Sequence, residues 1–207
     1  MRARQIVLPA LLIGIAAASP ALRRLLQPPC PPWLAWWLES PLADRLAGTT
    51  ATLDQIGLRP GQQVLEIGPG PGRLLIPASR RVLPGGTVTG LELQPAMAAR
   101  LHRRAARAGA TNLSVVQGDA AAPPFPPASF DVIVLCTVLG EIADRAAALA
   151  HCRDLLRPGG VLSITELRPD PHYLPLATVR DLAESAGFRL VRLHQTLGRY
   201  TATFTPA

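Results

Sequence analysis

The sequence contains no lysine: all 21 of its basic residues are arginine. A net charge of +7 can mark a nucleic-acid or membrane binder, but an all-arginine set points first to compositional bias, and charge implies a partner only when it is patterned. Arginines do cluster at Arg100, Arg103, Arg104 and Arg107. That stretch has amphipathic spacing and no interleaved aromatic residue, so it reads as the solvated face of a helix, and no nucleic-acid partner is expected. Aromatic residues are only 4% of the chain. Cysteine is scarce too: Cys30, Cys136 and Cys152 are odd in number and far apart, with no CxxC pair or histidine-rich tract. A disulfide framework and a metal site are therefore not expected, and a reducing compartment fits.

What is present is unevenly spread. Residues 6–22, "IVLPALLIGIAAASPAL", carry no charge and are flanked by Arg2 and Arg4 before and by Arg23 and Arg24 after. That length is at the lower limit for crossing a bilayer. Three readings stand open: a secretory signal, an uncleaved membrane anchor, or an apolar helix packed on the domain. The stretch that follows holds all the tryptophans, Trp33, Trp36 and Trp37, which suit a membrane interface or the cap of a core or pocket. Residues 1–48 thus read as an apolar, tryptophan-rich helical extension, a possible anchor with residues 6–37 as the membrane contact. Residues 49–207 read as the folded domain.

From residue 49 the chain alternates short β-like runs with helical ones. The β-like runs are 63–67, 87–91, 113–117, 130–135, 161–165, 189–194 and 200–204, and the helical candidates are 73–82, 95–108, 145–156 and 176–186. Alternation of this kind predicts an α/β fold with a doubly wound, mostly parallel sheet. The last two runs have no helix between them and are expected as an antiparallel pair at one edge. "LRPGG", residues 156–160, reads as a helix end followed by a turn into the next strand.

One stretch carries chemistry. In "VLEIGPGPGRLL", residues 64–75, a strand-like run ends in Glu66 and is followed by Gly68, Pro69, Gly70 and Gly72. Alternating glycines there suggest a ligand lying on bare main chain. The spacing is not the GxGxxG of nicotinamide binders; it strongly resembles motif I of class I S-adenosylmethionine-dependent methyltransferases. Three more stretches extend the resemblance over roughly residues 53–194. "VTGLELQPAM" places Glu92, with Leu93 beside it, where that family binds both ribose hydroxyls. "VVQGDAAAPPF" places Asp119, with Ala120, where it contacts adenine, and "FDVIVLCTVLGEI" brings Cys136 and Thr137 to the methionine end of the cofactor. The resemblance implies a Rossmann-like seven-stranded sheet and S-adenosylmethionine as cofactor. An Asn/Asp-Pro-Pro-Tyr/Phe motif after the fourth strand is absent, which argues against DNA adenine methylation.

Acceptor-side residues are expected beyond the strand ends. "LGEIAD" offers Glu141 and Asp144, and "TELRPDPHYLP" offers Glu166, Asp170, His172 and Tyr173. His172, Tyr173 and Glu141 are taken as the catalytic candidates, because an imidazole, a phenol or a carboxylate can accept a proton. The structural alternatives are an Asp170-capped turn with Tyr173 packed on the sheet, and a helix N-terminal acid for Glu141. Gly140 stands where related sequences often carry histidine.

The chain is also similar to small type 11 methyltransferases, a group loosely joined with the quinone-biosynthesis C-methyltransferases. That similarity implies a small, lipophilic acceptor, such as a quinone precursor or lipid, methylated on the cytoplasmic side of the inner membrane. A soluble cytoplasmic enzyme whose N-terminal helix covers its pocket, and a cofactor-binding protein without catalysis, are the alternatives.

Overall fold

The computed structural model describes residues 30–31, 35–168 and 170–207. The apolar run at 6–22 and Trp33 lie outside the described residues. Among the described residues no helix is long and apolar enough to cross a membrane.

Three short helices come first: α1 (Ala35–Leu38), α2 (Pro41–Ala47) and α3 (Thr49–Ile56). The Ser40 hydroxyl accepts the Ala43 N–H to start α2, proline occupies its first turn, and left-handed Gly48 ends it, each a position those residues favour. The alternating part then runs β1 (Gln63–Ile67), α4 (Leu75–Arg81), β2 (Thr87–Glu92), α5 (Pro95–Arg107), β3 (Leu113–Gln117), β4 (Phe130–Cys136), α6 (Arg145–Leu155), β5 (Leu156–Leu167), α7 (Leu176–Ser185), β6 (Phe188–Thr196) and β7 (Arg199–Pro206).

These strands form one sheet in the order β3-β2-β1-β4-β5-β7-β6. The first five are parallel, while β7 runs antiparallel to both β5 and β6. Strand order reverses between β1 and β4, the switch point at which open α/β sheets bind their ligands. Both faces are covered, which is why β4 reads as an unbroken apolar run from Val132 to Cys136. Its Phe130, Ile133 and Leu135 pack with α6 and α7, and its Val132, Val134 and Cys136 pack with α3, α4 and α5. The expected antiparallel edge pair is present.

Two local expectations change. Residues 156–160 are not a turn ahead of the strand: β5 starts at Leu156, which pairs with Phe130, and the register shifts before Val161 pairs with Val132. Leu155 and Leu156 are both buried, so the chain passes from helix to sheet without surfacing, and the Pro-Gly-Gly stretch is absorbed as an irregularity in the strand. Helix α4 begins at Leu75 rather than at residue 73, because Gly72 holds φ at 84°.

The segment before β1 is tied to the sheet. Arg199 on β7 donates to the carbonyls of Ala47 and Gly48 at 3.2 and 3.3 Å and to Gln55 Oε1 at 3.2 Å. Arg100 on α5 donates to Glu39 Oε2 at 2.9 Å. The Arg199 bonds tie the α2–α3 junction to the sheet, and the Arg100 bond holds the turn between α1 and α2 on α5, near the site described next.

Candidate functional site

The loops leaving the carboxyl ends of β1, β2, β3, β4 and β5 surround a cavity of about 730 Å³. On one side lie Glu66, Gly68, Pro69 and Gly70; Glu92 and Leu93 follow from β2, Asp119 and Ala120 from the loop after β3, and Cys136 from the end of β4. Residues scattered along the sequence meet here because parallel strands all end at the same edge.

Glu92 is gripped by the backbone. Its Oε2 accepts the Gly70 N–H and its Oε1 accepts the Gln94 N–H, both at 3.0 Å. Burial raises its pKa and these N–H bonds oppose the rise. Each carboxylate oxygen has two acceptor sites, so two hydroxyls can still be bound. Gly70 has φ of 53°, and a Cβ built on it would meet nothing within 4 Å. Its main chain therefore faces open cavity, as a loop beneath a ligand must.

Glu66 is 4% exposed and its Oε2 has no hydrogen-bond partner. Burial pushes its pKa up to about 8; Arg73 opposes this and Glu92 adds to it. Arg73 also lines the cavity and donates to Thr49 Oγ1 at 2.9 Å. A buried carboxyl with one unpartnered oxygen, beside a guanidinium, is complementary to a group bearing both an ammonium and a carboxylate, as the methionine end of S-adenosylmethionine does. With Glu92 for ribose and bare Gly70 backbone, the residues present fit that cofactor.

The opposite wall is built from the β4 and β5 loops. Glu141 and His172 line it, and His172 Nδ1 lies 3.8 Å from Glu141 Oε1 and 3.9 Å from Asp170 Oδ1. Glu141 Oε2 accepts the Cys30 N–H at 3.1 Å, and the Cys30 carbonyl accepts from Gln94 Nε2 at 2.9 Å. Cys30 is thus strapped between the β4 and β2 loops. Burial, with the charges of Asp170 and Glu92, raises the Glu141 carboxyl to about 7, although the Cys30 N–H opposes the rise. Thr137, also in the lining, has φ of 53°, a strained conformation for a β-branched residue of the kind that gathers at ligand sites.

Two expected site residues lie outside the lining. A Cβ on Gly72 would come within 2.2 Å of Leu101 Cδ1, so this third glycine serves helix packing. Tyr173 is the larger correction. Asp170 Oδ1 accepts the His172 N–H at 2.7 Å and the Asp170 carbonyl accepts the Tyr173 N–H at 3.1 Å, so consecutive side chains leave the turn in different directions. His172 reaches the cavity, whereas Tyr173 packs edge-on to Tyr200 at 6.2 Å and beneath Arg168 at 4.9 Å. Asp144 caps α6 by accepting the Ala147 N–H, so Glu141 lies in the preceding turn and not in the helix. Glu166 is 1% exposed behind the β5 loop: its Oε2 accepts the Leu174 N–H and its Oε1 has no partner.

Arg73, Gln94 and Cys30 were not expected at the site. Arg73 had a signal, being the residue directly after the last motif glycine. Cys30 and Gln94 are 64 positions apart and no local spacing links them.

Glu166 and Glu66 are both pushed up to about 8 by burial. Between the ordinary carboxyl range and about pH 8 the folded state therefore binds more protons than the unfolded state, and this contribution is complete at low pH and lost as pH rises. Glu166→Gln removes one such group, so its unfolding midpoint in urea should fall less steeply between pH 5 and 8 than that of the wild type; identical slopes would contradict the assignment. Glu92→Gln keeps the shape but loses the charge, and should weaken binding of S-adenosylhomocysteine by roughly 1.5 to 3 kcal/mol. Calorimetry showing unaltered affinity would exclude Glu92 from the ribose position.

Known proteins are similar to this chain over the same stretch. A family model described as Methyltransferase domain matches residues 64–160. Nocamycin O-methyltransferase of Saccharothrix syringae is 39% identical over 131 residues, which cover 63% of this chain and 45% of that protein. The ubiquinone/menaquinone biosynthesis C-methyltransferase UbiE of Shewanella halifaxensis is 33% identical over 122 residues, covering 58% and 49%. The chain spans about half the length of these curated relatives. A solved structure of a SAM dependent methyltransferase from Aquifex aeolicus superposes with a TM-score of 0.80 at 21% identity, over 86% of this chain and 100% of that one, a likeness of fold. Residues 64–160 thus form a methyltransferase domain of the class I S-adenosylmethionine-dependent family.

Proposed function

We propose that the chain methylates a small, lipophilic acceptor held in the cavity between the glycine loop and the Glu141–His172 wall. The observation that carries this reading is one continuous cavity that joins the cofactor-side residues to a second wall bearing an imidazole. S-adenosylmethionine supplies a methyl group already activated on a sulfonium sulfur. The chain's work is to orient the acceptor and exclude water. Leu38, Val138, Ile142, Pro31 and Pro171 give the lining apolar surface for an uncharged ring or chain. The relatives named for nocamycin and for ubiquinone/menaquinone support an acceptor of this type.

The apolar run at residues 6–22 would hold the domain at the cytoplasmic side of a membrane, where such an acceptor concentrates. A second reading has its own observation. Cys30 and Leu38 both line the cavity, and Cys30 is bonded to its two sides. The segment before residue 30 would then cover the pocket of an enzyme that needs no membrane.

Incubation of the full chain with methyl-labelled cofactor and a lipid and metabolite extract of the host tests the activity. Labelled lipophilic product is expected; cofactor binding without any transfer would leave a binding protein. Fractionation of the lysate separates the two N-terminal roles: recovery in membranes supports the anchor, and recovery in detergent-free supernatant supports the pocket cover.

A further inference from the structure

Gly140 is the residue that sets the acceptor wall. A Cβ placed on it would come within 1.9 Å of the His172 carbonyl oxygen and 2.8 Å of His172 Cβ. Its φ is not in the left-handed region, so the requirement is for space alone. Any side chain at 140 would lift the loop around residues 170–173 off the β4 loop. With hydrogen there, the loop seats, and Asp170 fixes it by accepting the His172 N–H. His172 Nδ1 then lies just under 4 Å from both Glu141 and Asp170, with its side chain 18% exposed. These separations are too long for hydrogen bonds, but they place an imidazole between two half-buried carboxyl groups at the cavity.

We propose that this wall selects a neutral acceptor bearing a hydroxyl or enol, methylated on oxygen, with His172 receiving its proton while Glu141 and Asp170 support the imidazolium and repel acids. Gly140 is the positioning residue that brings the two loops together. The proposal rests on the methyl-transfer reading above. The balance is simple. The acceptor O–H bond breaks as the O–CH3 bond forms, an oxygen electron pair makes the new bond, the proton passes to the imidazole, and the C–S electron pair returns to sulfur. One positive charge therefore moves from sulfonium to imidazolium, and the protein supplies two carboxylates where it arrives.

The same carboxylates set the selectivity. Glu141 and Asp170 both line the cavity, and each has its pKa raised by burial. A wall that already resists its own negative charge has no place for a carboxylate acceptor. An amine fares poorly for a different reason: it is a much stronger base than an imidazole, so near neutrality it arrives protonated, without the lone pair needed for attack. A neutral hydroxyl avoids both penalties.

The test uses the full chain with methyl-labelled cofactor and the host extract divided by ion exchange into neutral, acidic and basic fractions. Label is expected in the neutral fraction, as an alkali-stable O-methyl group. An alkali-labile methyl ester from the acidic fraction, or an N-methyl product from the basic one, overturns the selectivity while leaving methyl transfer intact; transfer to no fraction overturns methyl transfer itself. His172→Ala should lower kcat about 100-fold or more with S-adenosylhomocysteine affinity within about twofold of wild type. Gly140→Ala should show the same split and, without any substrate, should shift the His172 imidazole NMR signal, as should Glu141→Gln. Full activity in His172→Ala, or an imidazole signal unmoved by either other change, defeats the proton-accepting role.

Discussion

Carboxyl groups buried at the carboxyl ends of parallel strands are the constraint on which this structure turns. At the ends of strands covered by helices on both faces, Glu66, Glu92 and Glu166 are each less than 5% exposed. A carboxyl group so placed must take hydrogen bonds, keep its proton, or meet a ligand. Glu92 takes two backbone N–H bonds. Glu166 takes one and is pushed towards its neutral form. Glu66, which unlike Glu166 lines the cavity, offers its orphaned oxygen to a ligand. The raised pKa values and the fit to a cation-bearing cofactor have this one cause.

The glycine loop and the acidic rim work together. The Gly70 N–H that supports Glu92 comes from the same loop whose bare main chain faces the cavity, so ligand contact on the glycine side and carboxylate orientation on the β2 side depend on one backbone conformation. On the far wall the Cys30 backbone spans Gln94 and Glu141. Gln94 also contributes the N–H that holds Glu92, which links the strap to the cofactor side through a single residue.

Much of this was legible in the sequence because the informative features are local. The strand-ending acid, the glycine spacing and the alternation of β-like and helical runs each occupy a few consecutive residues, and the seven strands fall where those runs predict. The acceptor wall was legible only in part. "DPHY" shows that an imidazole and a phenol sit in a stiff loop, but which of them faces the cavity depends on two hydrogen bonds to Asp170, and Tyr173 turned to the core. Gly140 looked like a departure from related sequences; its reason, contact with a carbonyl 32 positions later, exists only in three dimensions. The boundary at Leu156 escaped because proline and glycine mark turns and strand irregularities alike.

Proton counting on binding tests the central claim most directly. At pH 7 a Glu66 carboxyl raised to about 8 is mostly protonated in the free protein, and an ammonium arriving beside it favours the ionised form. Calorimetric titration with S-adenosylmethionine in buffers of different ionisation enthalpy should show a proton released on binding, with the release largely lost in Glu66→Gln. Absence of binding, or binding whose heat is independent of the buffer, would contradict the account.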